Sequence, residues 1–141
     1  MATIERALEI AFEAHKGQKD KAGKPYILHP LRIMSKMPTE ELMIIAILHD
    51  VVEDSPWTLE DLRKEGFTEE VLSALDCITK RPGEAYEDYM ERVKTNRLAI
   101  QVKLGDLQDN MDVRRFSGLK KEDSERITFY LGVYHGLLKL L

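Results

Sequence analysis

The stretch LMIIAILHDVVED, residues 42–54, decides the fold, because a fully apolar segment runs directly into two pairs of polar residues. His49 and Asp50 end the apolar run, and Glu53 and Asp54 follow one helical turn later. A helix that is apolar on every side is buried in a core. A buried charge normally meets a counter-charge or a metal ion. The stretch therefore predicts a buried helix that ends either in a satisfied ion pair or in a metal site.

Apolar residues at helical spacing continue on both sides of this stretch. The helix itself is predicted to begin after the cap residue Thr39 and to end near Asp54, because Pro56 disfavours helical geometry at the preceding residue. No alternating strand of useful length appears, so the sequence predicts an all-α, single compact domain over residues 1–141. Further helices are predicted at residues 4–15, after the caps Thr58 and Thr68, and at residues 84–94, 97–115 and 124–141.

The first connection and the last helix carry two further expectations. Residues 18–30 are predicted to form a loop, because Gly23, Pro25 and Pro30 punctuate them, and this loop would aim His29 inward. In the last helix, five apolar or aromatic residues are predicted to share one face at helical spacing. Its members are Ile127, Leu131, Tyr134, Leu138 and Leu141.

Composition and charge exclude several classes of protein. The net charge is −4, from 21 basic and 25 acidic residues, which argues against a nucleic-acid polymer as partner but leaves room for a small anion in a local basic pocket. The single Cys77 excludes a disulfide framework. The longest apolar run, residues 42–48, is too short to span a bilayer. These features predict a cytoplasmic protein without a membrane partner, and they leave the oligomeric state unknown.

Two imidazoles and two carboxylates are candidates for one metal site. Asp106 shares a helical face with Ala99 and Val102, so it is expected to point toward packed structure, as His49 and Asp50 do. With His29, these residues offer a mixed nitrogen and oxygen set that suits a divalent first-row metal. Structural zinc is less suitable, because its closed sites are usually rich in cysteine. The four candidate ligands are His29, His49, Asp50 and Asp106.

Glu53 and Asp54 are candidates for proton transfer beside that metal. Each lies four residues after a candidate ligand and so projects from the same helical face. A bound metal makes hydroxide available near neutral pH, and a carboxylate one turn away can handle the proton. The alternative is a pair of solvated acids in a frayed last turn. Acids at a helix C-terminus oppose the helix dipole, which favours the catalytic interpretation.

Four segments in order carry a family resemblance. GKPYILHP (residues 23–30), ILHDVVED (47–54), ITK (78–80) and VKLGDLQDN (102–110) resemble the HD phosphohydrolase domain of RelA/SpoT-type alarmone enzymes and their small stand-alone relatives. The resemblance runs over residues 7–115. A lone His-Asp pair is a weak signal, whereas four linked motifs in the same order are a strong one.

The resemblance implies an all-helical HD fold and a (p)ppGpp 3′-pyrophosphohydrolase of the stringent response. It implies that His29, His49, Asp50 and Asp106 hold Mn²⁺, or another divalent metal, and that Glu53 and Asp54 assist attack by a metal-bound water. The substrate would be a small nucleotide. Positions that match the family near the nucleotide are Lys21, Thr79, Lys80 and Asn110.

One departure from the family pattern concerns the substrate. The family places an arginine that stacks on guanine where this chain has Asp20, in the segment Gly17-Gln18-Lys19-Asp20-Lys21. This aspartate favours an alternative substrate, another phosphorylated nucleotide such as one carrying the 2′-phosphate of NADPH. A non-catalytic nucleotide-binding module is a further alternative, although all six metal and acid positions are filled. A second departure, Gly105 where the family commonly has alanine, leaves the chemistry unaffected.

Overall fold

The computed structural model describes residues 2–141, and within them the chain is entirely helical apart from turns and one isolated β-bridge between Lys19 and Pro25. The predicted all-α class is confirmed. The helices are α1 (Ile4–Ala14), α2 (Leu28–Ser35), α3 (Glu40–Leu48), α4 (Val51–Asp54), α5 (Leu59–Glu65), α6 (Glu69–Ile78), α7 (Tyr86–Lys94), α8 (Arg97–Asn110) and α9 (Lys121–Leu138), with a 3₁₀ turn at Val113–Arg115.

Helix α3 lies at the centre of the fold, because it has no polar face to give to solvent. It packs against α1, α2, α6 and α8. Its N-terminus is capped by the Thr39 hydroxyl, which accepts the backbone N–H of Leu42 at 3.2 Å, as predicted. Its interior residues are buried almost completely: Leu42, Ile44, Ile45, Ala46, Ile47 and Leu48. The end of this helix therefore delivers His49 and Asp50 into the interior.

The helix predicted to continue to Asp54 is interrupted at His49 and Asp50, which separate α3 from the single turn of α4. The His49 Nδ1–H donates to the carbonyl of Ala46 at 2.6 Å, and in an unbroken helix that carbonyl would accept the backbone N–H of Asp50. Neighbouring residues on a regular helix do not face each other. The interruption is what allows both side chains to point into the same space.

The predicted loop over residues 18–30 is wrong at its end, because His29 lies in the first turn of α2 rather than on a loop. Pro30 follows it within that turn, where the missing N–H has no intrahelical acceptor in any case. The proline was therefore a sign of a helix start and not of a helix break. As a result, His29 is held by a helix and is 5% exposed.

Helix α8 approaches α2 closely at Gly105. A methyl group at this position would lie 2.8 Å from Met37 Cε and 3.0 Å from Ile33 Cγ2. Both distances are below ordinary van der Waals contact, so an alanine here would require the Met37 and Ile33 side chains to shift. The close packing brings the first turn of α2, with His29, against the last two turns of α8.

The apolar face that the sequence marks on α9 is only partly the face that packs on the core. Leu131, Leu138 and Leu141 are 44%, 40% and 46% exposed, and the fully buried residue is Leu137, with Tyr130, Val133 and Tyr134 partly packed beside it. The helix is apolar on more than one face, so periodicity alone could not decide which face would meet α8.

Two smaller signals were correct. Thr58 and Asp61 form a reciprocal capping box at the start of α5, and the Thr68 hydroxyl caps α6 by accepting the N–H of Val71 at 3.2 Å. Within residues 2–141, no helix combines the length and the apolar character needed to cross a membrane.

The position of α9 can be tested with two neighbouring leucines. Leu137→Ala should lower the free energy of unfolding by about 2–5 kcal/mol, because it leaves a cavity in the core. Leu138→Ala should change it by no more than about 0.5 kcal/mol, since that side chain is largely exposed. Urea unfolding followed by circular dichroism measures both. A loss for Leu138→Ala equal to or larger than that for Leu137→Ala would contradict this position of α9.

Candidate active site

The four predicted metal ligands come together from three parts of the chain. His29 Nε2 lies 2.9 Å from Asp106 Oδ1 and 3.9 Å from Asp50 Oδ2. His49 Nε2 lies 3.1 Å from Asp50 Oδ2 and 3.5 Å from Asp106 Oδ1. The first turn of α2, the interruption after α3 and the buried face of α8 each contribute to this cluster.

The hydrogen bonds of the two imidazoles turn their Nε2 atoms toward the carboxylates. His49 Nδ1 donates to the Ala46 carbonyl, which can only accept, so Nε2 is the nitrogen left to face the carboxylates. That Nε2 is buried, and neither of its carboxylate contacts has hydrogen-bond geometry. His29 Nδ1 lies 2.6 Å from Asp109 Oδ2, and its Nε2 lies 2.9 Å from Asp106 Oδ1. Two imidazole Nε2 atoms therefore converge on two carboxylates.

The charges around the cluster hold its carboxylates ionised. Burial opposes ionisation of Asp106, but the Lys103 ammonium, 2.9 Å from Asp106 Oδ2, and the two imidazoles hold its pKa well below the usual range. Burial likewise opposes ionisation of Asp50, and the facing His49 imidazole holds its pKa below the ordinary value. The Tyr26 hydroxyl also donates to Asp50. These acids are available as anionic ligands at neutral pH.

The cluster fits a divalent metal ion. Donor atoms of His29, His49 and Asp50 lie within 4.8 Å of one another. Asp106 contacts both imidazoles. Two nitrogens and two carboxylates suit a first-row divalent ion, and the unpartnered, buried His49 Nε2 is the atom that such an ion would satisfy. A metal-binding cluster is therefore possible at the place where the sequence predicted one.

Glu53 and Asp54 lie at the edge of this cluster on the single turn of α4. Donor atoms of Asp50, Glu53 and Asp54 also lie within 4.8 Å of one another. Glu53 Oε1 accepts the backbone N–H of Lys80 at 2.9 Å. Both acids reach solvent, yet partial loss of hydration and the neighbouring Asp50 charge raise their pKa values above normal. A carboxylate with a raised pKa beside a reactive centre is suited to accept a proton.

A cleft of about 430 Å³ opens above the cluster, and it contains three of the four predicted substrate residues: Lys21, Lys80 and Asn110. Asn110 Nδ2 also donates to Asp106 Oδ1 at 3.3 Å. Thr79 does not line this cleft. Its hydroxyl donates to the Leu75 carbonyl at 2.7 Å and ends α6, so the residue sets the position of the chain before Lys80.

The outer wall of the cleft contains residues that the sequence did not indicate. Arg126 and Tyr130 lie one turn apart on α9, and Arg115 and Phe116 come from the segment before it. The only sequence signal for Arg126 and Tyr130 was their four-residue spacing, which cannot be interpreted until α9 is placed against α8. Arg115 belongs to a basic stretch of the kind that is usually solvated surface. In total, six cations line the cleft: Lys19, Lys21, Lys80, Lys103, Arg115 and Arg126.

Asp20 lines the cleft and also holds its own loop together. Its Oδ1 accepts the backbone N–H groups of Ala22 and Lys24, each at 2.9 Å. An aspartate that caps a turn in this way has a structural reason to be there. Its charge nevertheless faces the space where an anionic ligand would bind.

Comparison with known proteins adds relatives in sequence. No protein-family model matches the chain. A GTP pyrophosphokinase from Streptomyces coelicolor is 37% identical over 87% of this chain, and a guanosine-3′,5′-bis(diphosphate) 3′-pyrophosphohydrolase from Aquifex aeolicus is 34% identical over 95%. The bifunctional (p)ppGpp synthase/hydrolase SpoT of Escherichia coli is 30% identical over 88%. The chain spans only 16%, 21% and 19%, respectively, of the length of these relatives.

A solved structure adds the fold. It belongs to a metazoan orthologue of SpoT that hydrolyses ppGpp, and it superposes on this chain with a TM-score of 0.79 at 23% sequence identity. The match covers 98% of this chain and 86% of the other. At this identity the likeness establishes the arrangement of helices alone. The sequence relatives and the fold together support an HD-type, RelA/SpoT hydrolase-like domain as what this chain resembles.

Proposed function

We propose that the chain is a metal-dependent phosphohydrolase that removes the 3′-pyrophosphate from (p)ppGpp. The observation that carries this proposal is the convergence of two imidazoles and two carboxylates at the floor of a cleft with a basic and aromatic outer wall. The relatives named as (p)ppGpp hydrolases support the same reaction, although the chain covers about a fifth of their length. Because HD-type domains use such clusters for hydrolysis, the chemistry and the lineage agree.

We assign the metal to His29, His49, Asp50 and Asp106, and we propose Mn²⁺ because two imidazole ligands suit it better than Mg²⁺. When bound, such an ion polarises a phosphoryl oxygen and makes hydroxide available near neutral pH. The protein holds both imidazoles with Nε2 inward through bonds at Nδ1, so little reorganisation is needed on binding.

Glu53 and Asp54 are assigned to proton transfer. The backbone N–H of Lys80 holds Glu53 Oε1 and leaves Oε2 free to accept a proton from the attacking water. Among the described residues, no donor contacts the Asp54 carboxylate, so it is free to take part as well. The raised pKa of each group reduces the cost of holding a proton during the reaction.

The cleft walls are assigned to nucleotide binding. Lys21 and Lys80 supply charge for the phosphates, and Asn110 supplies an amide next to the cluster. On the far side, Arg126 and Tyr130 offer a cation and an aromatic face of the kind that binds phosphate and base. Thr79 lies outside the cleft, so we do not propose a direct substrate contact for it.

A second substrate is favoured by one observation, the Asp20 carboxylate on the cleft wall. It replaces the cation that the family pattern places beside guanine, which weakens the case for a guanine nucleotide. The same chemistry would then act on another phosphorylated nucleotide, such as the 2′-phosphate of NADPH. The floor of the cleft would act in the same way on ppGpp and on NADPH, so only the released product, pyrophosphate or orthophosphate, distinguishes the two substrates.

A substrate panel with separate detection of pyrophosphate and orthophosphate tests the proposal. With Mn²⁺, the protein should release pyrophosphate from ppGpp. The rate of this release should be lower with Mg²⁺, and no release should remain after chelation. Orthophosphate released from NADPH, without pyrophosphate from ppGpp, would select the second substrate. Undiminished turnover by thoroughly chelated protein would exclude the metal-dependent mechanism.

Two conservative substitutions test the proton-transfer assignment. Glu53→Gln and Asp54→Asn, made singly, should each lower kcat by about 10²-fold or more, because each removes an acid–base group while nearly preserving shape. Mn²⁺ affinity should stay close to that of the wild type, since neither residue is an assigned ligand. Glu60→Gln, an exposed acid on α5 outside the cleft, is the matched control. Near wild-type rates for both variants would mean that these acids are only surface residues.

The role of the Asp20 charge can be separated from its role in the loop. Asp20→Asn keeps an oxygen for the N–H groups of Ala22 and Lys24 but removes the charge. For a polyphosphate about 8 Å away, the repulsion removed is roughly 1–2 kcal/mol, or about fivefold to thirtyfold in KM for ppGpp with kcat unchanged. Asp88→Asn, an exposed acid on α7 outside the cleft, controls for net charge. An unchanged KM would place the bound phosphates away from Asp20.

A further inference from the structure

One of the two imidazoles in the cluster is part of a longer chain of charged groups. Asp109 Oδ2 lies 2.6 Å from His29 Nδ1, and the same carboxylate accepts two bonds from Arg32, at 2.7 Å from Nε and 2.9 Å from Nη2. Asp109 is 3% exposed, whereas the Arg32 side chain is 37% exposed. A buried carboxylate is thus placed between an imidazole and a guanidinium at the surface.

The direction of each hydrogen bond in this chain is fixed by chemistry. Arg32 can only donate, and an ionised carboxylate can only accept. Both Asp109 oxygens accept from Arg32, so the carboxylate is the acceptor and His29 Nδ1 is the donor at 2.6 Å. With Nδ1 held in this way, His29 Nε2 is turned toward Asp106 Oδ1 at 2.9 Å and Asp50 Oδ2 at 3.9 Å, where a metal ion would replace its proton.

We propose that Asp109, anchored by Arg32, is a positioning residue that sets the affinity of the cluster for its metal ion. The inference rests on the proposed function, since it assumes that His29 is a ligand. Asp109 touches neither the metal position nor the cleft. It acts through His29, by fixing the tautomer and the ring orientation and by increasing the electron density at Nε2. Carboxylate partners of metal-bound histidines commonly have this effect.

The opposite histidine shows why the carboxylate matters. His49 Nδ1 donates to a neutral carbonyl, that of Ala46, within its own helix segment. His29 instead donates to a full negative charge from another helix, α8, so its orientation depends on how α2 packs on α8. Without Asp109, the His29 ring has no acceptor for its Nδ1–H among the described contacts, and the ring is free to rotate away.

A simple structural ion pair is the competing explanation, and the chain offers a matched control for it. Arg6 forms the same bidentate arrangement with Glu65, at 2.9 Å and 2.7 Å, and its side chain is 36% exposed. That pair links α1 to α5 and contacts no histidine. Arg32 and Arg6 therefore have similar pair geometry and similar side-chain exposure, while Glu65 is 27% exposed and Asp109, which has His29 behind it, is 3% exposed.

The experiment measures Mn²⁺ binding to the purified full chain by isothermal titration, with unfolding temperatures recorded with and without Mn²⁺. Asp109→Leu should weaken Mn²⁺ binding by about tenfold to a hundredfold. Asp109→Asn should lose less, because its amide oxygen can still accept from His29 Nδ1. Arg32→Met should weaken binding by several-fold, since Asp109 loses its anchor. Arg6→Met should lower the unfolding temperature of metal-free protein but leave the Mn²⁺ dissociation constant unchanged.

The outcomes separate the inference from the function on which it rests. If the wild type and Asp109→Leu bind Mn²⁺ with equal affinity, the inference is overturned but the proposed function is not. If Asp109→Leu does not fold, the comparison of Asp109→Asn and Arg32→Met with Arg6→Met decides, and equal Mn²⁺ affinity in all three would overturn it. Failure of the wild type to bind Mn²⁺ would overturn the metal site and the inference together.

Discussion

The structure depends on one constraint, which is that two carboxylates and two imidazoles face one another inside an apolar helical core. Neighbouring carboxylates repel each other, and burial strengthens that repulsion. The chain places Lys103 against Asp106 and Arg32 against Asp109, so two cations face the three carboxylates of Asp50, Asp106 and Asp109. One negative charge is left, which a proton on an imidazole or a bound metal ion would balance. The cluster is therefore suited to a cation.

Local backbone features deliver those groups. A continuous helix would point His49 and Asp50 about 100° apart, and only the loss of one backbone hydrogen bond at Ala46 allows them to converge. The close approach of α2 and α8 at Gly105 lies near the point where His29 meets Asp106. The contact between α2 and α8 also forms part of the site, because it places Asp109 of α8 within hydrogen-bond distance of His29 of α2.

The sequence predicted those parts of the site that depend on local pattern. The apolar run before His49 could lie only in the core, so the burial of His49 followed from composition alone. The face shared by Asp106, Ala99 and Val102 followed from helical spacing. The helix that carries His29 was missed because Pro30 signals either the end of a helix or its first turn, and the packing of α2 decides between them. Arg126 was missed for a different reason, since its role requires the position of α9.

If the proposed function holds, the distribution of charge links metal binding to substrate binding. The floor of the cleft holds the carboxylates of Asp50, Glu53 and Asp106, and Lys103 pairs with one of them, so carboxylates outnumber ammonium groups there. The outer wall carries Arg126, Lys80 and other cations, which explains how a chain with net charge −4 can offer a site for an anion. A nucleotide would thus be attracted to the rim without metal, and a divalent ion at the floor would reduce the repulsion between the carboxylates and the reacting phosphate. By linkage, a nucleotide that binds in this way must raise the affinity for the metal by the same factor. The proposed function therefore implies coupled binding, because the ion that would activate the phosphate also offsets the charge that repels it.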